Sequence, residues 1–108
     1  ISVSGQMITH QTIRKEQGIE PSNHRPTIDQ YAPLYHMRKE APPTYCITGG
    51  WGQDMLMRAE ENLYFVSMMK LIGHPDVSHV VMEDANHTKV CKEAWPLVTD
   101  FVEKRTAP

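Results

Sequence analysis

An aspartate in a glycine-rich loop and a histidine at a later strand end are the residues here whose types and spacing could do chemistry. Asp54 ends Gly49-Gly50-Trp51-Gly52-Gln53-Asp54, just after the apolar run Tyr45-Cys46-Ile47. His87 ends Asp84-Ala85-Asn86-His87, just after Val80-Val81. Successive strands would carry this carboxylate and imidazole to one edge of a sheet, as two of the three parts of a nucleophile, base and acid triad. The base takes the proton of an attacking hydroxyl, and the acid holds the imidazole in its productive tautomer. In that order of elements the nucleophile precedes both partners in the chain. Little chain with strand character lies upstream, so the sequence reads as the carboxy-terminal part of a larger catalytic unit, with an incomplete site in its 108 residues.

Each of these residues also has a plainer reading. His87 is alternatively a surface histidine that caps a turn. Asp54 is alternatively an exposed aspartate at the start of the next helix, where its charge favours the amino-terminal dipole. Asp84 is a weaker choice of acid, because it sits close to His87 along the chain and closes the turn. Ser4 is not read as the nucleophile, since Ser2-Val3-Ser4-Gly5-Gln6 lacks the leading glycine of G-x-S-x-G and no such pentapeptide occurs in the chain. His10, His24, His36, His74 and His79 show no H-E-x-x-H spacing, and no cysteine pair supports zinc, so no metal is expected. Cys46 and Cys91 are read as buried thiols rather than a disulfide. Met55, Met57, Met68 and Met69 recur at helical spacing, where methionine fills cores more often than it forms an adaptable binding surface.

The elements that would position these groups follow from the apolar pattern. Ile1-Ser2-Val3-Ser4-Gly5 alternates like the end of a strand. Residues 6–41 form a polar excursion punctuated by Gly18, Pro21, Pro26 and Pro33, with Ile8, Ile13 and Ile19 as anchors of a short helix; excursions of this length wall pockets or act as lids. Residues 42–108 hold two strands and their helices. Pro42-Pro43 leads into a strand that ends at Gly49-Gly50. A helix spans Met55 to Ile72 with Leu63, Val66 and Met69 or Lys70 inward and Arg58, Glu61 and Asn62 opposite. Gly73 caps it and Pro75 prevents continuation. A strand over Asp76 to Glu83 precedes the His87 turn. A last helix restarts at Pro96 and turns Leu97, Val98, Phe101 and Val102 inward. Strands alternating with helices predict an α/β class with a parallel sheet flanked by helices. Three parallel strands leave open edges, so further strands are expected from the same polypeptide, a cleaved partner chain or another copy.

Composition narrows the partners. With 40% hydrophobic and 22% charged residues the chain can bury a core. Its 11 basic and 13 acidic residues give a net charge of −2, with no basic stripe for a phosphate backbone. Nucleic acid is therefore not an expected partner, nor is a membrane, since no apolar run reaches the roughly 20 residues a spanning helix needs. No secretory signal is visible at Ile1, which says nothing about the compartment of a longer parent.

The order Ser4-Gly5-Gln6, Tyr31-Ala32-Pro33-Leu34-Tyr35-His36, Ala41-Pro42-Pro43-Thr44, a strand ending in glycine, Arg58-Ala59-Glu60-Glu61-Asn62, Gly73-His74 and Asn86-His87 resembles the α/β-hydrolase fold. Within it, the chain is similar to the esterase and lipase branch that includes carbohydrate acetyl and feruloyl esterases, and would be the carboxy-terminal portion of one such domain. The resemblance implies hydrolysis of a small-molecule carboxylic ester through an acyl-serine, with His87 as base, Asp54 as acid and no cofactor. Gln6, Met7 and His10 would wall the substrate pocket. The nucleophile and oxyanion hole would come from the missing amino-terminal segment, leaving the isolated chain inactive. The family's acid commonly stands fourth in a G-x-x-D or G-x-x-E turn; counted from Gly49 that place is Gly52, so Asp54 requires a longer or differently bent loop. An amidase of the same fold, such as a formamidase, uses the same groups. A non-catalytic interaction domain on this scaffold is the third alternative.

Overall fold

The computed structural model describes residues 1–20 and 24–107; Pro21, one of the prolines punctuating the excursion, lies outside them. Three parallel strands stand in the order β1 (Ser2–Val3), β2 (Thr44–Gly49) and β3 (Val77–Met82). Ser2 is level with Cys46, and Thr44 to Gly49 run level with Val77 to Met82. Because all three strands run the same way, the residues that follow them, Ser4, Gly50 and the turn before His87, emerge at one edge. The class is α/β.

Side chains alternate across a strand, so β2 serves two cores. Cys46 points toward α2 (Arg58–Leu71) and packs with Phe65, Val66 and Met69, together with Met7 and Leu34 from the excursion. Burial pushes the Cys46 thiol up to about 11. Ile47 points the other way, against Ala85, Val90 of α3 (His87–Glu93), Ala94, and Leu97 and Val98 of α4 (Trp95–Thr106). Tyr45 stacks on Phe101 of α4 at 4.9 Å, and Arg105 reaches from α4 to Asp76 with two 2.7 Å hydrogen bonds. These contacts seat α4 on the sheet.

The structure departs from the periodicity in four places. α2 starts at Arg58 rather than Met55, because Met57 adopts the left-handed conformation (φ 57°), which an α-helix cannot include. Its inner face carries Arg58, Ala59, Asn62, Phe65, Val66 and Met69, whereas Leu63 is exposed. The polar members of that stripe bond to the end of β1, which a hydrophobicity pattern cannot express. Met55 and Met57, outside the helix, are exposed and only Met69 of the methionine group is in the core. Cys91 and Val102 are exposed, since α3 and α4 turn Val90 and Phe101 inward instead. At its far end α2 closes as expected: Gly73 takes φ 93°, and the amides of Gly73 and His74 bond to the carbonyls of Lys70 and Met69, both at 3.0 Å.

The excursion contains α1 (Gln11–Glu16) and a 3-10 turn at Pro33–His36, and it is tied down by partly buried polar contacts. One oxygen of Glu61 on α2 accepts the amides of Met7 (2.9 Å) and Ile8 (3.2 Å). The fully buried Thr9 donates to Asp29 at 2.6 Å, closing the loop on itself. Met7 is 3% exposed and belongs to the core; it does not wall a pocket, because the Glu61 clamp turns its side chain onto the sheet.

β2 and β3 leave the sheet almost in contact. A Cβ at Gly50 would stand 2.1 Å from the carbonyl oxygen of Glu83, so the two chain ends can approach only because position 50 has no side chain. Gly50→Ala is expected to lower stability by about 1–3 kcal/mol, the usual cost of overpacking. Urea denaturation checks this; an unchanged midpoint would show that the edge can open without penalty.

Candidate active site

The Asp54 loop is folded back on itself by its own backbone. The amides of Gln53 and Asp54 both bond to the carbonyl of Gly50, at 3.0 and 3.2 Å, and Gly52 takes φ 72° to complete the turn. The Asp54 carboxylate returns to the end of β2, where the Gly49 amide donates to Oδ2 at 2.8 Å and the Met55 amide to Oδ1 at 2.6 Å.

His87 reaches the same point from β3. The Ala85 amide bonds to Met82 at 2.9 Å and the Gly50 amide bonds to Ala85 at 2.9 Å, which locks the second turn to the first. Asn86 then caps α3 by accepting the Lys89 amide at 2.9 Å, making His87 the first helical residue. Its Nδ1 lies 3.1 Å from Oδ1 of Asp54, whose side chain is 1% exposed, whereas the imidazole is 44% exposed. The carboxylate is the buried member of the pair and the imidazole the accessible one. Asp84 is exposed, and its carbonyl accepts the Lys89 ammonium at 3.4 Å, so it plays no part here.

Ser4 is the residue that sequence reasoning missed as part of this cluster. It leaves β1 in the left-handed conformation (φ 50°), held by its amide on the Ile47 carbonyl at 2.6 Å. Its Oγ donates to Asp54 Oδ2 at 2.6 Å and lies 2.9 Å from His87 Nδ1. Arg58 Nη1 donates to the Ser4 carbonyl and approaches Oγ at 3.5 Å, while Asn62 donates to the carbonyl of Gly5 at 2.9 Å. Ser4 is 3% exposed and bonds to the ring nitrogen that also faces the acid, so it is not placed as a nucleophile. The sequence signal for it is Ser4-Gly5 at a strand end, which does not fit the G-x-S-x-G pattern of a nucleophile.

Burial raises the Asp54 carboxyl, but hydrogen bonds from Ser4, Met55, Gly49 and His87 together outweigh it and hold the group below the usual carboxylate range. A cleft of about 1290 Å³ opens beside the cluster between the excursion and the start of α2. Ser4, Gly5 and His87 border it on one side; Ile8, Leu34, Met55, Leu56 and Tyr64 supply apolar wall. Of the three residues expected to wall it, Gln6 and His10 do and Met7 does not. Among the described residues no group of three or more His, Cys, Asp and Glu gathers to hold a metal ion.

No protein-family model matches this chain, and neither curated proteins nor solved structures show significant similarity to it.

Because the folded Asp54 carboxyl lies below its unfolded value near 4, it stabilises the fold above that pH, and the contribution is lost as pH falls through the folded value. Urea midpoints of the natural chain are expected to fall more steeply between about pH 5 and pH 2 than those of Asp54→Asn. Parallel curves for the two proteins would contradict the assignment of Asp54 as a stabilising carboxylate.

Proposed function

We propose that this chain carries the acid and base of a carboxylic ester hydrolase of the α/β-hydrolase kind. The observation that supports it is the buried Asp54 carboxylate 3.1 Å from Nδ1 of an imidazole that borders a cleft. With Nδ1 turned to the acid, Nε2 is the nitrogen left to act on substrate. It would take the proton of an attacking serine hydroxyl; the imidazolium, stabilised by Asp54, would then give that proton to the leaving alkoxide, and water would repeat the cycle on the acyl-serine. Among the described residues no serine, threonine or cysteine bonds to Nε2. The nucleophile in this reading is a serine on polypeptide outside these 108 residues, which would also supply a strand to the edge of β1 that is unpaired among the described residues.

The apolar wall formed by Ile8, Met55, Leu56 and Tyr64 suits the organic part of an ester. Acetyl and feruloyl esters of carbohydrates are the substrates the sequence resemblance favours. A formyl amide would use the same groups and differs in how strongly its leaving nitrogen must be protonated.

The intact parent protein is expected to hydrolyse one or more of an acetyl, a feruloyl and a formyl-amide substrate, and the isolated 108-residue chain none of them. His87→Ala in the parent should lower kcat/KM by roughly 10⁴–10⁶-fold, as for loss of a triad member. Full activity in that variant, or turnover by the isolated chain, would remove the reading. A parent with no G-x-S-x-G ahead of Ile1 would point instead to a non-catalytic scaffold.

A further inference from the structure

The Ser4 hydroxyl has more contacts than a space-filling residue needs, and the number of protons available decides what each contact is. An ionised carboxylate only accepts and a guanidinium only donates, whereas a hydroxyl has one proton and two lone pairs. Oγ of Ser4 lies 2.6 Å from Asp54 Oδ2, a separation that two oxygens hold only with a proton between them, so the hydroxyl proton goes to Asp54. Arg58 can only donate to Oγ, at 3.5 Å. The remaining neighbour is His87 Nδ1 at 2.9 Å, and with the hydroxyl proton already used, that nitrogen must be the donor. The second acceptor facing Nδ1, Asp54 Oδ1 at 3.1 Å, makes the same demand.

We infer that Ser4 is a positioning residue: it shares the Nδ1 proton of His87 with Asp54 and so keeps Nε2 unprotonated and ready to accept. This rests on the reading of His87 as a general base. Two further features fit a hydroxyl retained for this purpose. The backbone of Ser4 is held at φ 50°, a region where non-glycine residues are uncommon and glycine costs nothing. Arg58, itself 8% exposed, bonds to the carbonyl of that same residue and holds its orientation from α2. Glycine would relieve the backbone and lose the hydroxyl, which makes it the informative substitution.

The test is nitrogen NMR of the His87 ring in the 108-residue chain at a pH where the ring is neutral, read alongside thermal unfolding. The natural chain should show the Nδ1–H tautomer. Ser4→Gly relieves the backbone but leaves Oδ2 of Asp54 one donor short, so its stability should fall, and its tautomer ratio should move about fivefold toward Nε2–H, the equilibrium weight of one ordinary hydrogen bond. Ser4→Thr keeps a hydroxyl on a backbone that suits a β-branched residue poorly, so it too should lose stability, yet it should hold the natural tautomer. A purely structural serine would move stability without the tautomer, and an unchanged ratio in Ser4→Gly would overturn the inference. Failure of the parent protein to hydrolyse any ester or amide, with the tautomer still shifting in Ser4→Gly, would remove the proposed reaction and leave the role of Ser4 in place.

Discussion

The fold edge and the candidate site depend on one constraint: a carboxylate at 1% exposure must be given donors from all sides or it cannot stay charged. Asp54 receives them from four directions, the Gly49 amide at the end of β2, the Met55 amide of its own loop, the Ser4 hydroxyl beyond β1, and the His87 ring at the start of α3. Those donors come from every strand end of the sheet. Assembling the sheet edge and assembling the Asp54–His87 pair are consequently one event, and hydrogen bonding outweighs the desolvation that would otherwise raise the carboxyl.

α2 couples this cluster to the core. Its inward stripe starts with Arg58 and Asn62, which bond to the backbone at Ser4 and Gly5, and continues with Phe65, Val66 and Met69, which fill the space under Cys46. Seating the helix on β2 therefore also holds the residues after β1. Glu61, one position along, clamps the amides of Met7 and Ile8 and so decides where the excursion leaves the sheet and where the cleft opens. The directional bonds from Arg58, Glu61 and Asn62 fix the register of the helix against the chain that follows β1.

Much of the framework was legible residue by residue. Tyr45-Cys46-Ile47 and Val80-Val81 announced strands, and Gly49-Gly50 and Gly73 marked turns at which a side chain is excluded or φ is positive. The pairing of Asp54 with His87 could be anticipated from their places after successive parallel strands. The inner face of α2 could not, because Arg58 and Asn62 are buried for their hydrogen bonds, and periodicity counts only apolar residues. Met7 was misplaced for a related reason: its burial follows from Glu61, distant in sequence, gripping its amide.

The sequence alone determined that the strands run parallel and that an acid and an imidazole arrive at the same sheet edge, because apolar period, glycine position and crossover length are local properties of the chain. Only the tertiary structure decided how that edge is wired. Ser4 and Asp54 stand fifty positions apart, and no local pattern records that a hydroxyl proton from one satisfies a buried oxygen of the other. The two meet because parallel pairing brings the end of β1 beside the end of β2, and because a desolvated charge leaves the surrounding groups no arrangement except to turn their donors toward it.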